Sequence, residues 1–378
     1  MLKDLLSWIG SLPPLAQIPI VIAVFLIAVA LVLFFVEVAP RTGRNYTILR
    51  LAVCVIVPGL ILIAIGSVFW AAIIASVLGA GLFLLDHRSK AGRGYLLQLV
   101  GFLSPAFLLV IVGLIYPTIQ TIVLSFFNNA RTPQFVGFEN FIWIFSQPEN
   151  LVVIRNTILW VLVVPVVSTI AGLAYAYFID KSRGEKFFKI LVFMPMAISF
   201  VGASIIWRFV YGYRGEGDQF GIINGIIVAL GGEPVNLLQQ VPLNTFLLIV
   251  VLIWVQTGFA MVVLSAAIKN VPAEQIEAAS IDGVNAWQSF TNVILPGIRS
   301  SLIVVLTTIS IASLKVFDIV RTMGTAYPDT GVIANEMVTL LQKFETGRSS
   351  AFAVLLFILV LPIVVYNARQ ISKQKEIR

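Results

Sequence analysis

Residues 244–268 read NTFLLIVVLIWVQTGFAMVVLSAAI, and residues 269–283, directly after them, read KNVPAEQIEAASIDG. The first stretch carries no charged side chain. As a helix rising ~1.5 Å per residue it is long enough to cross a ~30 Å hydrocarbon layer. The second stretch abruptly brings in Lys269, Glu274, Glu277 and Asp282. Pro272 suits a first helical turn, where its missing N–H costs nothing, and Glu274 suits the positive end of that helix. The following Ala and Glu residues favour a helix. Gly283 can end the turn or let another backbone approach. A second short helical stretch holds Trp287 and Phe290 about one turn apart, then runs through Val293, Ile294 and Leu295 to Pro296, which can open the next apolar run.

The same rhythm extends in both directions. Apolar runs lie at 18–38, 51–85, 99–124, 157–179, 190–212, 297–317 and 350–367. Apolar residues make up 59% of the 378 and charged ones 11%, against roughly 45–50% and about 25% in soluble domains. The chain is therefore expected to be an all-α polytopic membrane protein, with prolines 105, 117, 165, 195 and 362 tolerated where neighbours satisfy the freed carbonyls. The run at 18–38 exceeds a usual signal-peptide core, and Glu37–Pro40 makes a poor cleavage site, so it reads as a retained span.

Residues 51–85 would measure about 52 Å as one straight helix. Gly66-Ser67 offers a turn, which makes two short spans and nine in all. Basic clusters decide between the two counts. Arg41, Arg44 and Arg50, then Arg88, Lys90 and Arg93, then Lys181, Arg183, Lys186 and Lys189, and the C-terminal Arg369, Lys373, Lys375 and Arg378 all fall on one side only if 51–85 is a hairpin. The positive-inside rule makes that side cytoplasmic, together with 269–296. Loops 128–156, 213–243 and 318–349 then face out.

The net charge of +7 does not point to nucleic acid, because the cations are spread among loops beside apolar runs, where they suit anionic lipid. Cys54, the single cysteine, sits in an apolar run as a small hydrophobe, and His87 is the single histidine, so no zinc or haem site is expected. There is no G-x-x-x-x-G-K phosphate loop, so the chain is not expected to be an enzyme that hydrolyses ATP.

The residues alone leave two readings of 269–296. It can rest at the lipid interface as an amphipathic loop helix. It can also insert the small face of Ala278 and Ala279 into a protein groove. Here Glu277-Ala278-Ala279-Ser280-Ile281-Asp282-Gly283, with Phe290 and Ile294-Leu295-Pro296, resembles the cytoplasmic EAA loop of the permease subunits of binding-protein-dependent ABC importers, of the sugar (maltose/α-glucoside) type. Val271-Pro272-Ala273-Glu274 fits the sugar branch. Residues 102–106, Tyr116-Pro117, 135–141, Arg155-Asn156-Thr157 and 188–195 follow the family in order.

The resemblance covers 97–378 and implies a six-helix permease core, with 1–96 adding about three N-terminal spans. It implies that Glu274, Glu277, Ala278, Ala279, Asp282 and Gly283 couple to an ATPase subunit, with Lys269 and Arg299 as flanking contacts. It also implies a second permease chain, two ATPase subunits that use ATP and magnesium, an external solute-binding protein, and a bacterial or archaeal cytoplasmic membrane. No cofactor is expected on this chain itself. The external insert is too short for the large periplasmic domain of some maltose permeases. The family's glycine-rich external run is altered here to Met323-Gly324-Thr325-Ala326-Tyr327-Pro328.

Polar or aromatic residues inside spans need a partner or a wet cavity. Trp207 and Tyr211 could stack on a sugar. Gln256 and Thr257 could bond its hydroxyls, and Ser310, Ser313, Lys315 and Asp318 form a third polar series. A Lys315–Asp318 pair across one turn would be structural instead. The resemblance implies an oligosaccharide or α-glucoside as substrate, with a glycerol-phosphate-like anion as runner-up. An ion-coupled secondary transporter would need acidic mid-membrane sites that the central runs hardly offer, and would leave 269–283 unexplained.

Overall fold

The computed structural model describes residues 110–130, 133–180, 182–324 and 328–376, with isolated positions 84, 103 and 106. The expected N-terminal spans, and the division at residue 96, lie outside these residues apart from Leu84. The chain divides into two compact units, Met1–Thr118 and Ile119–Arg378. Helix α1 (Ile111–Leu124) straddles that boundary and opens with a π-helical turn, Ile111–Ile115.

The second unit is built from helices, with one isolated antiparallel bridge between Phe127 and Phe135 among the described residues. In order they are α2 (Glu139–Ser146), α3 (Pro148–Ile179), α4 (Glu185–Phe193), α5 (Phe200–Val210), α6 (Ile222–Ala229) and α7 (Leu243–Lys269). Then come α8 (Ala273–Ile281), α9 (Ala286–Gly297), α10 (Arg299–Leu314), α11 (Ile333–Gln342) and α12 (Thr346–Glu376). Three of them are long and apolar enough to cross a membrane: α3, α7 and the Thr346–Tyr366 part of α12.

Helix α3 begins at Pro148, nine positions before the apolar run expected to start at 157. Pro148 and Glu149 make a favourable first turn, so the helix extends into what hydropathy marks as loop.

Two apolar runs expected as spans change direction. The 190–212 run is α4, a 3-10 turn at Met194–Ala197, and α5, with 105° between the two halves. Ile198 and Ser199 are extended, and the Ser199 hydroxyl accepts the Gly202 N–H at 3.1 Å, capping α5 as a new helix. The 297–317 run is preceded by α9, and α9 and α10 meet at 70° across Ile298. Hydropathy sums see the apolar run in both cases and not the change of direction.

Helices α3 and α7 pack along their length, with α10 against both. Their buried faces supply Trp160, Val164, Leu248, Leu252, Met261 and Leu264, joined by Val305 and Ile309 of α10. The crossing is close because glycine permits it. A Cβ added at Gly172 of α3 would strike Ala260 and lie 2.8 Å from the Met261 N of α7, and one at Gly258 would lie 2.6 Å from the Val192 O of α4. Small residues serve this purpose in membrane bundles, where burial in lipid gives no hydrophobic drive.

A second cluster, with Ile144, Val153, Ile333, Leu340 and Phe352, joins α2 and the start of α3 to α11 and α12. Polar side chains pin the loops around it. Asn156 donates to the Asp329 and Gly331 carbonyls at 2.7 and 3.1 Å, and Thr157 Oγ1 accepts the Ile333 N–H at 3.0 Å. Asn140 donates to the Ser125 and Phe127 carbonyls. Asn129 accepts the Gly347 and Arg348 N–H groups in the first turn of α12. Arg348 is paired with Glu345 at 2.7 Å and lies over the Trp143 ring.

Candidate functional site

The polar interruption folds as a capped bent unit. The end of α7 passes into α8 through Asn270, Val271 and Pro272, with the Val271 N–H on the Ile268 carbonyl at 3.1 Å and Val271 itself buried. Helix α8 is seated by Ile276, packed on the core. Glu274, Glu277, Ala278, Asp282 and Gly283 are exposed and Ala279 is half-buried.

The helix ends in a closed turn. The Gly283 N–H donates to the Ser280 carbonyl at 3.2 Å and the Val284 N–H to the Ala279 carbonyl at 3.1 Å, with Gly283 at φ +77. These two bonds define a Schellman cap, which wants glycine at this position. Asn285 then opens α9 by a capping box: its side chain accepts the Gln288 N–H at 2.9 Å while the Gln288 side chain accepts the Asn285 N–H at 3.0 Å. Phe290 of α9 leans on Tyr177 near the end of α3, with ring centres 4.8 Å apart, and stacks on Trp287.

The shape is a corner capped on both sides, presenting charge and apolar surface together. Ile281 is 87% exposed and Trp287 71%. Large exposed apolar groups beside carboxylates suit a protein partner.

Around the root of α8 an ion network joins Lys269 to Asp180, Glu185, Lys189 and Ser265. Lys189 of α4 sits 2.6 Å from Asp180, the C-cap of α3, and donates to Glu185 at 2.8 Å and to Ser265 Oγ of α7 at 2.6 Å. Ser265 donates to the Asp180 carboxylate at 2.8 Å, and Lys269, the last residue of α7, pairs with Glu185. The sequence shows Lys181, Arg183, Lys186 and Lys189 as one basic cluster; nothing local distinguishes Lys189 from its neighbours.

The residues singled out for a solute path fall into separate groups. Trp207 is half-buried, 5.2 Å from the Tyr211 ring and edge-on to Trp254 at 5.8 Å. Tyr211 is 2% exposed and its hydroxyl donates to the Leu247 carbonyl at 3.0 Å. Trp254, absent from the sequence-derived set, completes this aromatic group. Thr257, Ser310 and Ser313 turn their hydroxyls back onto the carbonyls of Ile253, Leu306 and Ile309, four residues earlier. Gln256 is half-buried and makes no side-chain hydrogen bond among the described residues. The Lys315–Asp318 pair across a helical turn does not form: α10 stops at Leu314, Lys315 is its exposed C-cap, and Asp318 lies beyond the end.

Such a bundle, with long spans, two bent spans and an exposed helical corner, defines an all-α polytopic membrane protein. Residues 168–377 match the family described as binding-protein-dependent transport system inner membrane component. The chain belongs to that family. It is a transport component of the inner membrane.

The chain is 45% identical over 279 residues to the osmoprotective compounds uptake permease protein GgtC of Synechocystis sp., a match covering 73% of this chain and 100% of that one. It is also 45% identical over 276 residues to the alpha-glucoside transport system permease protein AglF of Rhizobium meliloti, covering 72% and 82%. Its fold resembles a chain in the crystal structure of a bacterial alginate ABC transporter in complex with an alginate pentasaccharide-bound periplasmic protein. There the TM-score is 0.63 at 23% identity, over 73% of this chain and 93% of that one.

Proposed function

We propose that this chain is a permease subunit of an ATP-driven importer for an oligosaccharide or α-glucoside, driven through α8 by a separate ATPase subunit. The observation that carries the reading is the capped, exposed corner α8–Gly283–α9, rooted in the membrane helices and offering Glu277 and Ala278 outward with Ala279 half-buried beside them. Its capping suits a part that receives force, since a frayed loop would absorb it.

Placement within the bundle supports the same reading. Thr157, nine residues into α3, and Asp180, its C-cap, mark where α11 and the α8 root attach. They stand about 35 Å apart along the helix, more than a hydrocarbon core. We place α8 and the C-terminus at the cytoplasmic face, following the basic clusters, and α11 at the external face. The working assembly has a second permease chain, two ATPase subunits holding ATP and magnesium, and an external solute-binding protein. ATP binding closes the ATPase pair and shifts α8. The permease pair turns outward to receive solute, and hydrolysis resets it. This chain supplies a path and a lever.

The alpha-glucoside name of one relative supports the sugar class, as do the half-buried rings of Trp207 and Trp254, which suit a sugar face better than a phosphate, with Tyr211 buried behind them. An ion-coupled mechanism has no use for α8.

The test is reconstitution of the complete assembly in liposomes, with ATPase rate and uptake measured for maltose, trehalose, sucrose and glycerol 3-phosphate. ATP-driven uptake of at least one sugar is expected. Uptake of glycerol 3-phosphate alone would replace the substrate class, and no ATP-dependent uptake of any solute would refute the reading.

A further inference from the structure

We propose that Lys189, with Asp180 and Ser265, forms a clamp that makes α4 and α3 move with α8, so that these three are positioning residues for energy coupling. This rests on the coupling role proposed for α8.

The clamp is unusual in its chemistry. An ammonium has three N–H groups, and Lys189 has an acceptor for each: Asp180, Glu185 and Ser265. The Glu185–Lys189 pair is an ordinary i,i+4 contact on one helix. The other two partners come from α3 and α7. Asp180 caps the C-terminus of α3, the negative end of that helix, where a carboxylate is disfavoured. Local preference therefore argues against Asp180, and its tertiary partners, the Lys189 cation and the Ser265 hydroxyl, offset that. Its side chain is 10% exposed and that of Lys189 24%, so the pair is shielded from water and salt.

The position matters as much as the chemistry. Lys269, on the rim of the same cluster, is three residues from Pro272, the N-cap of α8. The intervening backbone is held by bonds from the Asn270 and Val271 N–H groups to Ala266, Ala267 and Ile268, and the Gln275 N–H bonds to Pro272. A push on α8 thus arrives at Lys269 and Ser265 without slack. Higher up, Gly172 and Gly258 hold the same three helices in close contact. The ion cluster fixes the end nearest the force, and α4 leads directly into the 105° bend and α5, which carries Trp207.

The test uses the full assembly with its ATPase subunits in lipid nanodiscs, in a Cys54→Ser background. Spin labels go on Lys186→Cys in α4 and Ser280→Cys in α8, both exposed positions. With the clamp intact, one narrow interspin distance is expected, the same without nucleotide and after trapping with ADP, magnesium and vanadate. With Lys189→Met added, that distance changes on trapping, because α8 moves without α4. In liposomes, uptake of maltose and trehalose per ATP hydrolysed falls about tenfold. Exchanging the charges, Asp180→Lys with Lys189→Asp, brings both readouts back. Ser265→Ala keeps every charge and carries the same test, with a smaller effect, if Lys189→Met fails to assemble.

A Lys189→Met chain that assembles and keeps the unmutated distance and uptake overturns the clamp. So does a distance that shifts on trapping in the chain with Lys189 intact. An intact assembly that takes up no sugar with ATP sinks the proposed function as well, whereas normal uptake beside a failed clamp leaves that function standing.

Discussion

Gly283 sits at φ +77, where the Schellman cap of α8 requires a left-handed residue, and a Cβ there would meet nothing within 4 Å. Substitution at this position therefore tests backbone conformation with no packing change. Asparagine tolerates this region, whereas a β-branched side chain pays about 1–2 kcal/mol. In the reconstituted assembly, Gly283→Asn should keep most ATPase association, Gly283→Ala less and Gly283→Val least, measured as the ATPase subunit retained per permease on purification. Equal retention in all three would show that the turn geometry is not used. The start and end of α8 were legible in sequence because Pro272, Glu274 and Gly283 lie in one short segment. The link from Lys189 to Ser265 was not, because the two lie 76 residues apart in the chain.

At the scale of helices, hydropathy locates spans and is blind to their direction. Residues 190–212 and 297–317 are apolar enough to read as spans, yet both hold a break whose cause is local: Pro195 with the Ser199 cap in one, Pro296-Gly297 before Ile298 in the other. Removing the Ser199 hydroxyl with Ser199→Ala should cost about 1 kcal/mol, lowering the thermal midpoint in detergent; Ser199→Thr should retain it. The α3–α7 crossing predicts a larger effect. Gly172→Leu drives a side chain into Ala260 and the Met261 backbone, for a loss of about 1–3 kcal/mol. Gly172→Ala should fall between, and melting curves in one detergent would rank the series. An unchanged midpoint in Gly172→Leu would mean that the two helices can part freely.

For the whole molecule, the separation of the α8 corner from the α11 end predicts opposite exposure. In a Cys54→Ser background, Ser280→Cys should react with a membrane-impermeant maleimide only in inside-out vesicles. Leu341→Cys should react only in right-side-out cells or spheroplasts. Labelling of both positions from one side would break the proposed topology. Sequence alone determined that the chain is helical, lives in a membrane and interrupts its apolar rhythm with a capped polar corner, because hydropathy, helix propensity and capping act over a few neighbouring residues. Tertiary structure decided which side chain of a basic cluster is neutralised, and that Asn156 ties α3 to carbonyls at Asp329 and Gly331. Those outcomes depend on which helix faces meet, and a pairing across such chain distances leaves no local mark in either partner.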